Sequence, residues 1–246
     1  MDVKRIFAMK SLNILLVAVS FLIVTACEKE IRWDAEDSGK IGMLDWNLSK
    51  GILTISGTGD MEDMEKGAAP WYAYIVIIKQ IVIEEGVTTI GNYAFCNCTN
   101  LNLVTLPESL TSIEKYVFQG CSHLKEIVFP NSLEKIGYAS FELSGLTSVS
   151  IPASVEQIDG WAFTKCLDLK SIVLNGPIWK MGSSIFAGYS DSPKTYAIEV
   201  KCPPFTVNAN VFDIVNLKKS SLTVPKGTKE LFESAPVWKN FGTITE

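Results

Sequence analysis

The strongest constraint in this sequence is a phenylalanine that returns at almost constant spacing through the middle of the chain. Successive intervals are 23, 23, 22 and 23 residues, and two further apolar columns keep the same register. The three columns are Phe95, Phe118, Phe141, Phe163 and Phe186; Ile90, Ile113, Ile136, Ile158 and Met181; and Val87, Leu110, Leu133, Val155 and Ile178. A fixed period of about 20–29 residues is typical of a solenoid whose stacked repeats bury one continuous core.

Each copy of the repeat opens with a short alternating run that predicts a β-strand. In the third copy the run covers residues 124–129, and alternation places Ile127 on the core side with Glu126 and Val128 on the exposed side. Three copies place a proline, such as Pro130, just after the strand, where it ends the pairing. The strands together predict an exposed sheet face, whose candidate binding residues are Thr105, Glu126, Val128 and Ser150.

Three cysteines share another column, three residues after the phenylalanine. They are Cys98, Cys121 and Cys166, and a cysteine in such a place behaves as a small apolar side chain. We therefore predict a column of small buried residues. A disulfide between Cys98 and Cys121 is the alternative, because neighbouring repeats bring two Cα atoms within bridging distance. Cys96 and Cys98 form a C-x-C pair with no second pair at metal-ligand spacing, so no zinc site is predicted.

These motifs resemble the BspA-like leucine-rich repeats of bacterial surface proteins. Residues 106–124 and 151–169 follow that frame closely, whereas the copy at 129–146 lacks one residue and has Ser144 in the cysteine column. The resemblance implies an α/β, β-rich fold: a right-handed leucine-rich-repeat solenoid with 22–23-residue repeats, an N-terminal β-hairpin cap and a short C-terminal helical cap. For function, it implies adhesion to host matrix or to the proteins of another cell.

Non-repeating segments flank the array and are expected to cover its ends, which would otherwise expose apolar core and strand edge. On the N-terminal side, residues 43–48 and 52–56 predict a hairpin around Gly51. The predicted organisation is a lipoprotein signal peptide over 1–26, a lipidated tether over 27–39, an N-terminal β cap over 40–77, leucine-rich repeats over 78–197, and a degenerate repeat with the C-terminal cap over 198–246.

The C-terminal part predicts one decaying repeat followed by a cap. Phe212 takes the place of the repeated phenylalanine, and residues 221–225 form the last predicted strand. A short helix is predicted over 227–234 with Thr228 as its N-cap, because a threonine hydroxyl accepts hydrogen bonds from the first free N–H groups of a helix. Trp238 then contributes a large apolar side chain that closes the end of the core.

The N-terminus indicates an exported lipoprotein. Basic residues precede an apolar run over 12–24, which is short for a membrane span and fits the core of a signal peptide. Val24-Thr-Ala-Cys27 resembles a bacterial lipobox, which implies cleavage before Cys27 and lipidation of its thiol. The alternative is an ordinary signal peptide or an anchor helix, and translation from Met9 rather than Met1 would give a more regular signal. Glu28-Lys-Glu30 resembles the short signals of lipoproteins exposed on the outer membrane, the location that we expect.

Composition and motifs argue against nucleic-acid binding and catalysis. Without residues 1–26 the chain carries 19 basic and 26 acidic side chains, whereas nucleic-acid binders present a basic surface. The single histidine, His123, cannot build a two-histidine metal motif, and no serine lies in a nucleophile-elbow motif. The predicted sheet face carries one carboxylate, not the pair that glycoside hydrolysis needs. We therefore predict no enzyme, no cofactor and no metal site.

Binding is the remaining class of function, since solenoids present long regular surfaces. Tyr93, Tyr116 and Trp161 share a column two residues before the phenylalanine. If they are exposed, their rings form a ladder for sugars or a protein partner; packing beneath the loops is the alternative. Three hypotheses follow: a protein-binding adhesion module with a host or neighbouring-cell protein as partner, a glycan-binding module for polysaccharide capture, and a purely structural envelope lipoprotein.

Overall fold

A computed structural model describes residues 34–246, so the predicted signal peptide and Cys27 lie outside the described residues. In chain order the strands are β1 (Glu36–Ile41), β2 (Leu44–Ser49), β3 (Ile52–Ser56), β4 (Gly59–Asp60), β5 (Gln80–Ile83), β6 (Val87–Ile90), β7 (Leu103–Thr105), β8 (Ser112–Ile113), β9 (Lys135–Ile136), β10 (Ser148–Ile151), β11 (Gln157–Ile158), β12 (Ser171–Leu174), β13 (Lys180–Met181), β14 (Ala197–Val200), β15 (Ser221–Thr223) and β16 (Thr243–Thr245). The helices are one α-helix, α1 (Lys229–Ser234), and 3₁₀ turns at Tyr72–Tyr74, Ala209–Phe212, Leu217–Lys219 and Trp238–Asn240.

The longer strands form one side of the solenoid, and the shorter strands form another. Strands β1, β2 and β3 pair antiparallel as the predicted hairpin cap, and β1 begins within the range expected for the tether. From β3 onward the strands of this side pair parallel, first through β5 to β7 and then from β10 through β12, β14 and β15 to β16. Along β10 the residues alternate between exposed and buried, as a strand with one solvated face requires. The predicted leucine-rich-repeat solenoid with a hairpin cap is confirmed.

The shorter strands form a second parallel sheet in the order β4, β6, β8, β9, β11, β13. Its register pairs the isoleucine column of the sequence directly, from Ile90 through Ile113, Ile136 and Ile158 to Met181. The sequence predicted this column but not the strands that contain it, because all of them except β6 have only two residues, too few to show alternation.

The phenylalanine column forms a continuous aromatic stack in the centre of the core. Successive ring centroids from Phe95 to Phe186 are 5.5, 5.3, 5.2 and 5.7 Å apart, and all five rings are fully buried. Phe212 extends the stack 6.0 Å beyond Phe186, as predicted. Tryptophans end it on both sides: Trp71 lies 5.7 Å from Phe95, and Trp238 lies 6.1 Å from Phe212.

The turn that carries each phenylalanine is hydrogen-bonded to the next turn. The backbone N–H of Phe95 donates to Val117 O at 3.1 Å, and that of Phe118 donates to Ser140 O at 2.7 Å. Such bonds satisfy polar backbone groups that would otherwise be buried without partners. Each turn also needs left-handed residues to reverse the chain, and these form two columns with φ between +50° and +74°: Tyr93, Tyr116, Ala139, Trp161 and Ser184, and then Asn97, Gly120, Leu143 and Lys165.

The structure corrects the strand that was predicted over residues 124–129. Leu124, Ile127 and Phe129 are buried at core positions as expected, but the segment adopts no strand and interrupts the longer sheet between β7 and β10. The interruption coincides with two local irregularities. Phe129 is larger than the aliphatic residues in the same column of the other copies, and the connection onward to β10 is one residue shorter than its equivalents.

The C-terminal cap is confirmed as a short helix, with two corrections. Thr228 precedes α1, but its hydroxyl donates to Pro225 O at 2.6 Å instead of capping the helix. The Glu246 carboxylate accepts the hydrogen bond from the Lys229 N–H at 2.9 Å, which satisfies one free donor at the start of the helix. The last strand is β16, beyond the predicted final strand, where it pairs parallel with β15.

We predict that Phe141→Ala lowers the free energy of unfolding by about 3–5 kcal/mol, because it leaves a cavity inside the aromatic stack. Urea denaturation followed by circular dichroism measures the effect. Leu231→Ala is the control, since Leu231 is 52% exposed on α1 and exposed substitutions usually change stability by less than about 0.5 kcal/mol. A loss in Phe141→Ala no larger than in the control would contradict a central role for the stack.

Candidate functional site

All four candidate residues of the predicted sheet face are exposed. Thr105 lies on β7, Ser150 on β10, and Glu126 and Val128 on the segment between these strands. Val128 is 81% exposed, which is more than any other large apolar side chain among the described residues. We use "sheet face" for the outward side chains of β5, β7, residues 124–129, β10 and β12. This surface has an apolar residue with almost no cover at its centre.

The surroundings of Val128 are mainly apolar and hydroxyl-bearing. Leu103 on β7 is 44% exposed, and Thr105 lies opposite Val82 of β5 in the strand register. On the other side, Ser150 lies opposite Val173 of β12. Two charged side chains of this part of the surface are exposed, Glu126, as the sequence predicted, and Lys125, which is paired with Asp168 at 2.7 Å. Protein interfaces have centres of this kind, with few charges around apolar contacts.

The predicted aromatic column forms a second surface, the aromatic edge, which contains Tyr93, Tyr116, Tyr138 and Trp161. The rings of Tyr93 and Tyr116 stack with centroids 4.7 Å apart at 13°, and those of Tyr138 and Trp161 stack at 6.2 Å and 21°. Tyr116 and Tyr138 meet edge to face at 5.5 Å. The sequence reasoning missed Tyr138 because it precedes the column by one residue, and Ala139 occupies the column itself.

The rings of the aromatic edge are partly exposed but largely occupied by one another. Tyr93 and Tyr116 are half-buried, whereas Trp161 is 41% exposed. A sugar binds an aromatic side chain through the ring face, and the stacked faces of Tyr93 and Tyr116 are covered. Both predicted alternatives therefore apply in part, because the column is at the surface and its rings also pack along the solenoid.

Lys165 connects the aromatic edge to a buried carboxylate. Its Nζ lies 5.9 Å from the Trp161 ring centroid and 5.8 Å from that of Tyr189, within cation–π range. The same Nζ lies 3.3 Å from Glu142, whose side chain is 9% exposed. Glu142 also accepts a 2.7 Å hydrogen bond from the Gln119 amide. These partners hold Lys165 against the protein and reduce its availability to a ligand.

The cysteine column is buried, and its thiols are free. Cys121 Sγ donates to Phe95 O at 3.3 Å, and Cys166 Sγ donates to Phe141 O at 3.0 Å. Ser144 substitutes for cysteine in its copy and contacts Cys166 Sγ at 3.2 Å. Burial raises the pKa of the Cys166 thiol to about 12 and also raises those of Cys98 and Cys121. The structure therefore has the column of small buried residues, without the alternative disulfide between Cys98 and Cys121.

Sequence reasoning also missed an apolar groove beside β13. Trp179 is 75% exposed and lines a groove of about 560 Å³ together with Pro177, Cys202, Phe205 and Pro236. A usable signal was present in the repeat register. Trp179 occupies a column that contains only polar residues in the other copies: Thr88, Thr111, Glu134 and Glu156.

Residues 34–246 show no metal site and no membrane-spanning helix. Within this part of the chain, no three His, Cys, Asp or Glu side chains come together as metal ligands would. Nor does the same part contain a helix of the length and apolar character that crossing a bilayer requires. His123 is exposed, and its Nδ1 lies 2.5 Å from Thr99 O in the neighbouring repeat.

Comparison with known families supports the repeat assignment. A family described as "BspA type Leucine rich repeat region" matches residues 71–192 in six copies. This range contains all five regular phenylalanines and the whole aromatic edge. No curated protein matches the chain.

Solved structures of bacterial leucine-rich-repeat proteins are also similar to this chain. One from Eubacterium ventriosum is 22% identical over 86% of this chain and 68% of its own, with a TM-score of 0.48. One from Bacteroides ovatus is 16% identical over 84% and 67% of the two chains, with a TM-score of 0.48. The T. pallidum leucine-rich-repeat protein is 27% identical over 56% and 72%, with a TM-score of 0.43.

We predict that thiol labelling of the folded protein is confined to the more accessible cysteines. Cys202 is half-buried and should react first with iodoacetamide, Cys96 more slowly, and the cysteine column only after unfolding, because thiolates are the reactive species. Peptide mass spectrometry before and after urea treatment measures the labelling at each site. Rapid labelling of Cys166 in the folded protein, or a linked peptide containing Cys98 and Cys121, would contradict the structure.

Proposed function

Since its repeat region belongs to the BspA-type leucine-rich-repeat family, we propose that this chain is a cell-envelope lipoprotein whose sheet face binds a protein at the cell surface. Proteins with these repeats are typically surface-associated in bacteria, and leucine-rich-repeat solenoids are generally not enzymes. The observation that carries the binding proposal is the 81% exposure of Val128 at the centre of the sheet face. The partner is a host or neighbouring-cell protein.

Leaving the apolar residues of the sheet face uncovered costs free energy in water. When a partner covers an apolar side chain, the free energy falls by about 25 cal/mol per Å² of apolar area buried. Val128 and Leu103 offer such area, and the hydroxyls of Thr105 and Ser150 offer hydrogen bonds around it. The exposed charges here are Glu126 and Lys125, and Lys125 is already paired with Asp168, so little unpaired charge must be desolvated when a protein docks.

Glycan capture through the aromatic edge is the second candidate, and the stacking geometry disfavours it. Tyr93 and Tyr116 are stacked at 4.7 Å, so a sugar ring would have to separate them before it stacked on either inner face. Trp161 is the most exposed ring of the edge, and it already contacts Tyr138 and Lys165. A purely structural role is the third candidate, and it predicts that neither surface binds anything.

The anchoring part of the proposal rests on the sequence. The apolar run over 12–24 and the small residues before Cys27 fit a lipoprotein signal. At about 0.8 kcal/mol per buried CH₂, a single acyl chain binds a membrane only marginally and reversibly. Stable membrane attachment therefore requires more than one acyl chain. A diacylglyceryl group joined to the Cys27 sulfur through a thioether, together with an acyl chain on the new N-terminal amine, would satisfy that requirement.

We predict that Cys27→Ser abolishes membrane attachment, because a serine hydroxyl cannot carry the thioether-linked lipid. The measurement is detergent phase partitioning of cell extracts together with metabolic labelling by an alkyne fatty acid. Protease treatment of intact cells then tests exposure, with an abundant periplasmic protein as the integrity control. Unchanged partitioning of the variant would contradict lipidation, and survival of the wild-type protein until the envelope is opened would contradict surface display.

We predict that Val128→Asp weakens binding to a protein partner about tenfold or more, because it places a charge at the centre of the apolar contact. The binding assay is biolayer interferometry against a panel of purified extracellular-matrix proteins. Leu231→Asp is the matched control, as it makes the same kind of change at an exposed residue of α1.

Thermal unfolding must show that both variants fold. Equal loss in the two variants would contradict a site on the sheet face, as would binding that survives Val128→Asp. Loss of binding in Trp161→Ala alone would favour the aromatic edge instead.

A further inference from the structure

The charges of the described chain are distributed unevenly along the solenoid. Residues 34–164 contain 17 acidic side chains and 7 lysines, whereas residues 165–246 contain 7 acidic side chains and 10 lysines. The net charge therefore changes from −10 to +3 between the two parts. An acidic protein with a basic C-terminal part attracts anions to that part, since summed charges of one sign raise the local concentration of the opposite sign.

A pocket lies within this basic part, at the edge where strands β12, β14 and β15 begin. Its volume is about 470 Å³, and three lysines line it: Lys170, Lys194 and Lys219. Thr195 and Ser221 add hydroxyl groups to its wall. The lysines come from three successive turns of the solenoid, so the stacking of the turns brings them together although they are far apart in the sequence.

The charges of two of these lysines are available to a ligand. Lys170 and Lys219 are exposed, and neither forms an ion pair with any residue in 34–246. The ammonium group of the third lysine, Lys194, is engaged within the protein, because it donates to the Leu167 carbonyl oxygen. The neighbouring carboxylate, Asp168, is paired with Lys125 at 2.7 Å. The pocket therefore keeps an excess of positive charge.

The base of the pocket is fixed by hydrogen bonds in the core. Tyr196 is 3% exposed, and its hydroxyl donates to Phe186 O at 2.7 Å. The Tyr196 N–H donates to Ser220 Oγ at 3.1 Å, and that hydroxyl donates to Asn216 O at 2.9 Å. A ligand therefore meets a surface that is already ordered, which lowers the entropic cost of binding.

We propose that this pocket binds a carboxylated sugar unit of an acidic polysaccharide. Ligand pockets commonly occupy about 300–1,000 Å³, so a volume of 470 Å³ accommodates a sugar ring rather than a lone carboxylate. Lysine ammonium groups bind the carboxylate as point charges, and the hydroxyls of Thr195 and Ser221 bind those of the ring. The site is distinct from the protein contact proposed around Val128, and its existence does not depend on that contact.

The test is isothermal titration of the full-length chain, in detergent, with an oligogalacturonate of defined length. We expect binding that weakens at higher ionic strength, with no binding of a neutral malto-oligosaccharide of equal length. The double variant Lys170→Gln/Lys219→Gln should weaken binding about tenfold or more, because it removes the two unpaired charges. The single variant Lys219→Gln should show a smaller loss in the same direction.

The charge-matched control is Lys226→Gln/Lys229→Gln, which removes two lysines of the C-terminal part that do not line the pocket. Binding within about twofold of the wild type in this control supports the site. The proposal is overturned if oligogalacturonate does not bind, if the control loses as much affinity as the pocket variant, or if hexaglutamate binds as tightly as the sugar. Thermal unfolding confirms that the variants fold. If the double variant does not fold, the affinity of the single variant Lys219→Gln decides whether the pocket binds the sugar.

Discussion

The structure depends on contact between each turn of the chain and the next. No single repeat can bury its own phenylalanine, because a ring in one turn needs the rings above and below it to exclude water. The spacing between ring centroids, 5.2–5.7 Å through the regular repeats, combines with backbone hydrogen bonds between the same turns. Aromatic pairs contribute about 0.5–1.5 kcal/mol each beyond the area that they bury. Tryptophans at both ends complete the stack, since an unpaired terminal ring would expose the core.

The sequence predicted the features that repeat, whereas it predicted those that occur once only in part: the hairpin and the C-terminal helix, but not the groove beside Trp179. The nearly constant spacing revealed the phenylalanine stack, the isoleucine column and the buried cysteines, because residues with the same place in each repeat recur at the same interval in the sequence. The strand expected over 124–129 followed from the same reasoning, and it failed where Phe129 and a shortened connection break the period. The cap by Glu246 could not be inferred, because it joins the last residue of the chain to a helix 17 residues earlier. Tyr138 could not be inferred from the repeat either, because it lies one position before the aromatic column, which Ala139 occupies in that copy.

The candidate surfaces differ in how far their side chains are already engaged in contacts within the protein. On the sheet face, strand geometry directs Leu103 of β7 outward, and Val128, which lies in the segment without strand pairing, is 81% exposed, so both remain open to a protein. On the aromatic edge, the short distance between turns brings neighbouring rings into contact. Ring faces that pack on one another stabilise the fold and are not available to a ligand. The lysine pocket combines both situations, with an ordered base and unpaired charges at its rim. The position of a residue in the repeat therefore determines whether its chemistry serves the fold or an external ligand.

The interruption of the longer sheet at residues 124–129 has a mechanical consequence. The shorter sheet runs without a break through this turn, pairing β8 with β9 and β9 with β11, whereas the longer sheet has no ladder between β7 and β10. Resistance to bending is therefore unequal on the two sides of the solenoid at this one turn. A load along the axis would separate the turns there first, on the exposed side, while the shorter sheet acted as the pivot. The surface around Val128 is therefore held in place by core packing and by the shorter sheet, without strand pairing of its own.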